Sequence, residues 1–427
     1  MKRTVCLILS TALPLLLSCC TSATAGAAKS AGDPHGRAVA TAPDLRGPIV
    51  LTDKARRIHR SAIVIDGHND LPWHLRNQGD HPFVECDIAQ RQEDTHTDIP
   101  RLREGGVGAQ FWAAWVPPST MRDGGGVRTA LEQIDLIHRM VRHYGDTFEM
   151  AYTADDVRRI HRKRKIAALI GVEGGHAIEN SLGALRMFYD LGARYMTLTH
   201  TETIDWADSS TDEARHGGLT EFGEEVVREM NRLGMLVDIS HISFEAMHDV
   251  MRVARAPVIA SHSSAYAVAQ HPRNVPDDVL ELIAENNGVV MVNFFSGYIE
   301  PEAARTTERM FDVFKELREQ YPDDDEFRTA IRKWRKENPM RRGTVHTLVD
   351  HIDHIVKVAG IDRVGLGSDY DGCSVLPEQL DDVSGYPYIT QELLNRGYTK
   401  REIHKILGGN LLRALAEAQD IAERLGR

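Results

Sequence analysis

The sequence predicts a (β/α)8 TIM-type barrel, on three observations. Eight short apolar runs recur from Ser61 onward, separated by longer polar or amphipathic stretches. The runs are continuous rather than strictly alternating, as in strands buried on both faces of a parallel sheet. Most of them end on His, Asp or Glu, and in a barrel those ends converge on one face.

The elements follow in order. Met-Lys-Arg, an apolar stretch from Val5 to Leu17 and then small residues form an export signal, too short to persist as a membrane span. Leu16-Leu17-Ser18-Cys19 has the form of a lipobox, which makes 1–18 a signal peptide and Cys19 the lipidation site; Ala23-Thr24-Ala25 is a competing cleavage site. Either route exports the chain, and the first attaches it to a membrane of the cell envelope. Residues 19–50, rich in Ala, Ser, Thr, Gly and Pro, read as a flexible tether, and 51–427 as one domain.

The expected strands are Ala62–Asp66, Gly108–Val116, Ala167–Val172, Tyr195–Thr199, Met235–Ile239, Val258–Ala260, Gly288–Phe294 and Val364–Gly367. Helical spacing marks Val127–His143, Leu182–Leu191, Glu221–Leu233 and Val279–Asn286. A charged stretch around 300–340, with Phe311–Tyr321 and Phe327–Lys336 inside it, reads as an inserted, solvated helical hairpin. Residues 399–426 carry Ile403, Ile406, Leu407, Leu411, Leu412 and Leu415 on one face and read as one closing helix.

Composition sets limits. A formal charge of −11 with no basic stripe disfavours nucleic acid as a partner, and 42% hydrophobic residues exclude a multispanning protein. Beyond the leader only Cys86 and Cys373 remain, neither in a C-x-x-C pair, so a thiolate metal site and a disulfide are both disfavoured.

The run ends carry Asp66-Gly67-His68-Asn69-Asp70, Glu173-Gly174-Gly175-His176, His200, Asp238-Ile239-Ser240-His241, Ser261-His262-Ser263 and Gly367-Ser368-Asp369-Tyr370-Asp371. Burying so many titratable groups without a compensating ion is costly. Imidazoles and carboxylates without thiolate suit zinc or a similar divalent cation. His68 and Asp70, at i and i+2 of an extended strand, point the same way. Glu173, flanked by glycines that allow close approach, is the best candidate to bridge two cations. Asp371 competes with Asp369 as a proton carrier or instead braces the backbone. Arg273 has a surface ion pair with Asp277 or Asp278 as its plainer alternative, and His176 reads as structural. His59, His74, His81, His96 and His346 have no supporting context and are expected to be exposed.

Several blocks in order resemble the membrane (renal) dipeptidase family of zinc peptidases, over about Ala55–Ala416. They are Val64–Trp73, Leu169–His176, Leu198–His200, Trp206–Asp208, Asp238–His241, Ser261–Tyr266, Arg273–Asp278 and Gly367–Gly372. The resemblance implies a metal-dependent hydrolase barrel with two zinc ions, His68 and Asp70 on one, His241 and His262 on the other, and Glu173 bridging. It implies that His200 stabilises the oxyanion, Arg273 holds the C-terminal carboxylate of a dipeptide, Asp369 moves protons, and Tyr298 and Trp73 line the pocket. A hydroxide between the two zinc ions would attack the peptide bond. The family also implies a homodimer. Pro118 and Glu202 stand where mammalian members carry a disulfide, the loop Thr201–Asp205 differs, and the insert is longer, which bears on substrate preference. Two rivals stand beside this reading: an amidohydrolase acting on N-acyl amino acids, lactones or β-lactams, and a non-catalytic metal-binding lipoprotein.

Overall fold

The computed structural model describes residues 46–321 and 323–426. The leader, Cys19 and the tether up to residue 45 lie outside the described residues. Nine strands among the described residues form one sheet: β1 (Val64–Asn69), β2 (Val107–Trp115), β3 (Phe148–Met150), β4 (Ile166–Glu173), β5 (Ala193–Thr197), β6 (Leu236–Asp238), β7 (Ile259–Ala260), β8 (Val289–Val292) and β9 (Val364–Leu366). All pairings are parallel, and β2 pairs with β4 from Ala109 to Trp115, which closes β1, β2 and β4–β9 into an eight-stranded barrel. The eight runs read from the sequence are these eight strands. β3 is additional. It pairs with the start of β4, Phe148 opposite Ile166, and β5 takes the remainder from Ile170.

Side-chain alternation divides the apolar residues into two clusters. Ile65, Phe111, Leu169, Leu236, Ile259 and Met291 fill the barrel and pack on Leu411, Leu412 and Leu415 of the last helix. Val64, Trp112, Ile170, Val237, Ala260 and Val290 belong to the cluster under the surrounding helices. Each large side chain so buried stabilises the fold by about 1.5–3 kcal/mol. On β4 the inward parity runs Leu169, Gly171, Glu173, so the periodicity that builds the core also aims Glu173 at the barrel mouth.

Helix ends are set locally. Thr220 caps Glu221–Leu233 by accepting from the Gly223 amide, and Gly234 ends it at φ +80°. Thr153 with Asp156, and Thr399 with Glu402, form capping boxes. The charged insert is two helices, Pro301–Gln320 and Asp324–Glu337. The closing segment is not one helix. Lys400–His404 and Asn410–Arg424 are separated by a π-turn over Lys405–Gly409. Gly408 lies against β1 there, where a Cβ would press on Ile65. Residues 46–50 run on the barrel, with Ile49 buried and its backbone bonded at both ends to the Gln379 amide. No helix among the described residues is long and apolar enough to cross a membrane.

Candidate functional site

Glu173 is the centre of the site. Its Oε2 lies 3.4 Å from His68 Nε2, which is 3.2 Å from Asp70 Oδ2. Its Oε1 lies 3.2 Å from His241 Nε2 and 3.5 Å from His262 Nε2. One carboxylate therefore turns its two oxygens toward two separate sets of nitrogen and oxygen donors. Asp369 joins the His68–Asp70 set, and His200 lies 3.8 Å from Glu173 Oε1. His68 and Asp70 do not meet by strand alternation. β1 shifts register between Asp66 and Asn69, and Asp70 lies beyond the strand, at the N-cap position of the helix Leu71–Arg76.

Neighbours settle which imidazole nitrogens are free. His68 Nδ1 is 2.9 Å from Tyr195 Oη, and that hydroxyl donates to the Gly67 carbonyl. Nδ1 is therefore the donor, and the buried Nε2, which carries no hydrogen bond, presents a lone pair. The Ser261 hydroxyl donates to Asp238 Oδ2 at 2.6 Å and accepts from His262 Nδ1 at 2.7 Å, freeing His262 Nε2. His241 Nε2 faces it at 2.9 Å. Two imidazole nitrogens that close need a cation or a proton between them. The donor set, with no thiolate in it, fits a divalent cation such as zinc.

These groups floor a cavity of about 300 Å³, whose walls include Trp73, Trp115, Thr201, Arg273, Tyr298 and Gly372. Arg273 is 1% exposed and has no carboxylate partner among the described residues. Its Nη1 and Nη2 reach Ser263 Oγ and the His262 carbonyl, each at 3.3 Å, and its guanidinium sits 5.2 Å from the Tyr298 ring centroid. Asp277 and Asp278 pair with His354 and His248 instead. A buried arginine so placed is able to receive an anion brought by a ligand. Trp73 meets Trp115 edge to face at 4.5 Å, and Trp115 meets His200 at 5.5 Å.

Burial, with Arg273 near, pushes His200 down to about 3, so at neutral pH it is an uncharged donor. Burial and the Arg273 charge hold His241 well below its ordinary range, and burial with His68 and Arg273 does the same to His262. Burial, reinforced by Asp70, raises the Asp369 carboxyl to about 7. Asn293 Nδ2 donates to Asp369 Oδ2 at 3.0 Å. His241, Asp369 and Asp371 all adopt positive φ, at +72°, +62° and +66°, backbone strain of the kind found at functional sites.

The other polar run ends serve the frame. Asp66 accepts from the Ser368 amide and hydroxyl, each at 2.7 Å, and ties β1 to β9. Asp238 does the same for β6 and β7 through Ser261. Asp371 braces the backbone by accepting from the His96 amide at 2.6 Å, although it also lines the cavity. His176 Nε2 bonds the Val116 carbonyl at 3.0 Å. Four of the five unassigned histidines are not exposed. His59 is fully buried because the last turn of its helix meets Thr390 at 2.7 Å and the Gly105 carbonyl at 2.8 Å, while His74, His96 and His346 are half-buried; only His81 is exposed. Cys86 and Cys373 are free. Glu202 pairs with Arg122 at 2.7 Å. Sequence reasoning missed Trp115, Tyr195, Ser261 and Asn293. The one available signal was the seam Ser261-His262, a hydroxyl beside a candidate ligand.

The family model described as membrane dipeptidase (peptidase family M19) matches residues 52–427. Among solved structures, the probable dipeptidase PvdM from Pseudomonas aeruginosa is similar at 26% identity and a TM-score of 0.73, covering 86% of this chain and 98% of that one. A metallopeptidase from Rhodobacter sphaeroides, liganded with a phosphinate mimic of the dipeptide L-Ala-D-Ala, is similar at 26% identity and 0.68, covering 84% and 99%. A dipeptidase described as an M19 metallopeptidase is similar at the same identity and TM-score, covering 84% and 98%.

Proposed function

The chain belongs to the membrane dipeptidase family and is a metal-dependent dipeptidase; from that premise we propose that it cleaves dipeptides with a free C-terminal carboxylate, using two zinc ions that share Glu173. The observation that carries the number two is the division of the Glu173 oxygens, Oε2 toward His68 and Oε1 toward His241 and His262. On this reading His68 and Asp70 hold one cation, and His241 and His262 the other. When bound, the pair supplies a nucleophile from water at neutral pH and polarises the scissile carbonyl.

The remaining steps belong to the chain. Arg273 takes the substrate carboxylate, the anion its buried guanidinium lacks, and so fixes the length of the peptide. Neutral His200 donates to the developing oxyanion, the type of contact that contributes most when it is preorganised. Asp369, near its midpoint at neutral pH, takes a proton from the attacking water and returns it to the departing amine. Tyr298, Trp73 and Trp115 exclude water and shape the side-chain pockets. The phosphinate mimic in the Rhodobacter relative supports a tetrahedral centre and a D-residue at the second position as a substrate class worth testing. Export and lipid attachment at Cys19 complete the reading.

The test is zinc analysis of the purified chain together with a dipeptide panel that includes D-residues, N-acyl amino acids and β-lactams. Two equivalents of zinc and turnover of dipeptides are expected. One equivalent at full activity would overturn the shared-Glu173 arrangement, and turnover restricted to the other substrates would overturn the choice of substrate.

A further inference from the structure

The end of the barrel opposite the catalytic mouth carries a concentration of cations that the mechanism does not use. Three segments meet there, at the N-terminal ends of the strands. The first is the helix Asp53–Arg60, which leads into β1. The second is the end of the helix Ala154–Arg162 and the turn before β4, and the third is the helix Lys400–His404. Contacts join them. His404 Nε2 lies 3.1 Å from Ser61 Oγ and 3.2 Å from the Ile58 carbonyl. A Cβ on Gly108 would touch both His161 and Ile63, which puts the second segment against the first.

Arg56, Arg57, Arg60, Arg162, Arg164, Lys400 and Arg401 are exposed on this end. None of them has a carboxylate partner among the described residues. Four acids nearby are already engaged, while Asp420 and Glu423 of the helix Asn410–Arg424 are exposed. Asp362 pairs with Lys405, Glu149 with Arg159 and Lys163, Glu417 with Arg413, and Glu402 caps its own helix at Thr399. Beside them a cavity of about 600 Å³ is lined by Lys400, Arg401, His404, Lys405 and Arg413, together with Asp362. Helix chemistry explains part of the placement. Basic residues favour the last turn of a helix, and in a barrel every surrounding helix ends at this face. That effect does not explain cations left unpaired side by side in a chain of net charge −11.

We propose that this basic end is a docking face for an anionic lipid bilayer. Charge complementarity selects the partner, since a flat anionic sheet can engage three adjoining segments at once. The orientation is consistent with catalysis. With the strand N-termini against the bilayer, the cavity containing Glu173 and Arg273 opens away from it. The face does not depend on the zinc arrangement or on the choice of substrate.

The experiment is co-sedimentation of the full chain with vesicles of equal phosphatidylglycerol and phosphatidylcholine, and with vesicles of phosphatidylcholine alone. Comparing the two isolates the electrostatic part from any insertion by the leader. Binding stronger on the anionic vesicles, and lost as salt screens it, is expected. The variant Arg57→Gln, Arg60→Gln, Arg162→Gln, Arg401→Gln should weaken that preference by more than 100-fold, at about fivefold per residue. A control with Arg332, Lys333, Arg335 and Lys336 changed to Gln alters net charge equally on the hairpin and should retain the preference. Dipeptidase activity in solution, read on the same preparations, should be unchanged in both and reports folding. Equal binding to the two vesicle types, an unaffected base variant, or an equal loss in the hairpin control would overturn the proposal. So would displacement by millimolar inorganic phosphate at constant ionic strength, which would mark a small-anion pocket instead.

Discussion

Tyr195 holds its hydroxyl 2.9 Å from His68 Nδ1, and thereby decides which nitrogen of His68 faces Glu173. The ring can stand there because β4 carries Gly171 opposite it, where any Cβ would collide with the Tyr195 ring. Tyr195→Phe keeps the ring and removes the hydroxyl, which accepts from His68 and donates to the Gly67 carbonyl. Loss of such a supporting bond typically costs 10–100-fold in metal affinity, and that range is expected in a chelator competition titration. Affinity equal to wild type would show that packing alone orients His68.

The barrel was legible because parallel strands buried on both faces leave continuous apolar runs, and all eight were found. β3 left no such run: of its three residues only Phe148 is buried. The candidate ligands were legible for a related reason, since His68, Glu173, His241 and His262 close apolar runs at one end of the barrel. The same rule could not separate ligands from braces. Asp66 and Asp238 also close runs, and only the serines bonded to them, Ser368 and Ser261, show that they join strands. Nor could it foresee the break at Gly408, which depends on close approach to Ile65. His59 was misjudged because its burial comes from Thr390 and Gly105, far away in sequence.

Arg273 offers a double readout. It is buried, with no carboxylate partner among the described residues, so Arg273→Met removes a desolvated charge that only neutral groups offset. The melting temperature should hold or rise. Turnover should suffer, because a charge-assisted contact to the substrate carboxylate of about 1.5–3 kcal/mol corresponds to a tenfold or greater rise in KM. Dipeptide amides, which lack that carboxylate, should be nearly indifferent to the change. A melting temperature lowered by several degrees with unchanged kinetics would make Arg273 a structural residue.

Asp369 sits within reach of both His68 and Asp70, so two roles compete for it. Asp369→Asn separates them. Asn tolerates the φ of +62° found here, and removes the group that takes up a proton. If Asp369 carries protons, kcat should fall by about 10²–10⁴-fold while zinc content stays at its wild-type value. A fall in zinc content matching the fall in activity would assign it to the metal instead.

His351, buried on the helix Val345–Ala359, gives the chain a pH-dependent stability. Its Nδ1 accepts from the Ala265 amide at 3.0 Å and its Nε2 donates to the Ile299 carbonyl at 2.9 Å, so the folded ring is neutral with the proton on Nε2. Burial lowers its pKa from 6.5 to about 4. Between those values the unfolded chain binds a proton that the folded chain refuses, so stability falls as the pH drops from 6.5 toward 4 and is fully present above 6.5. By pH 4 the loss from this residue is about 3 kcal/mol, at 1.36 kcal/mol for each tenfold change in proton affinity. His351→Asn keeps an acceptor for Ala265 and cannot titrate. Urea denaturation from pH 4 to 7, with a chelator present so that metal release does not contribute, should give a shallower slope for the variant by about that amount. Parallel slopes would mean that His351 keeps its proton balance on unfolding.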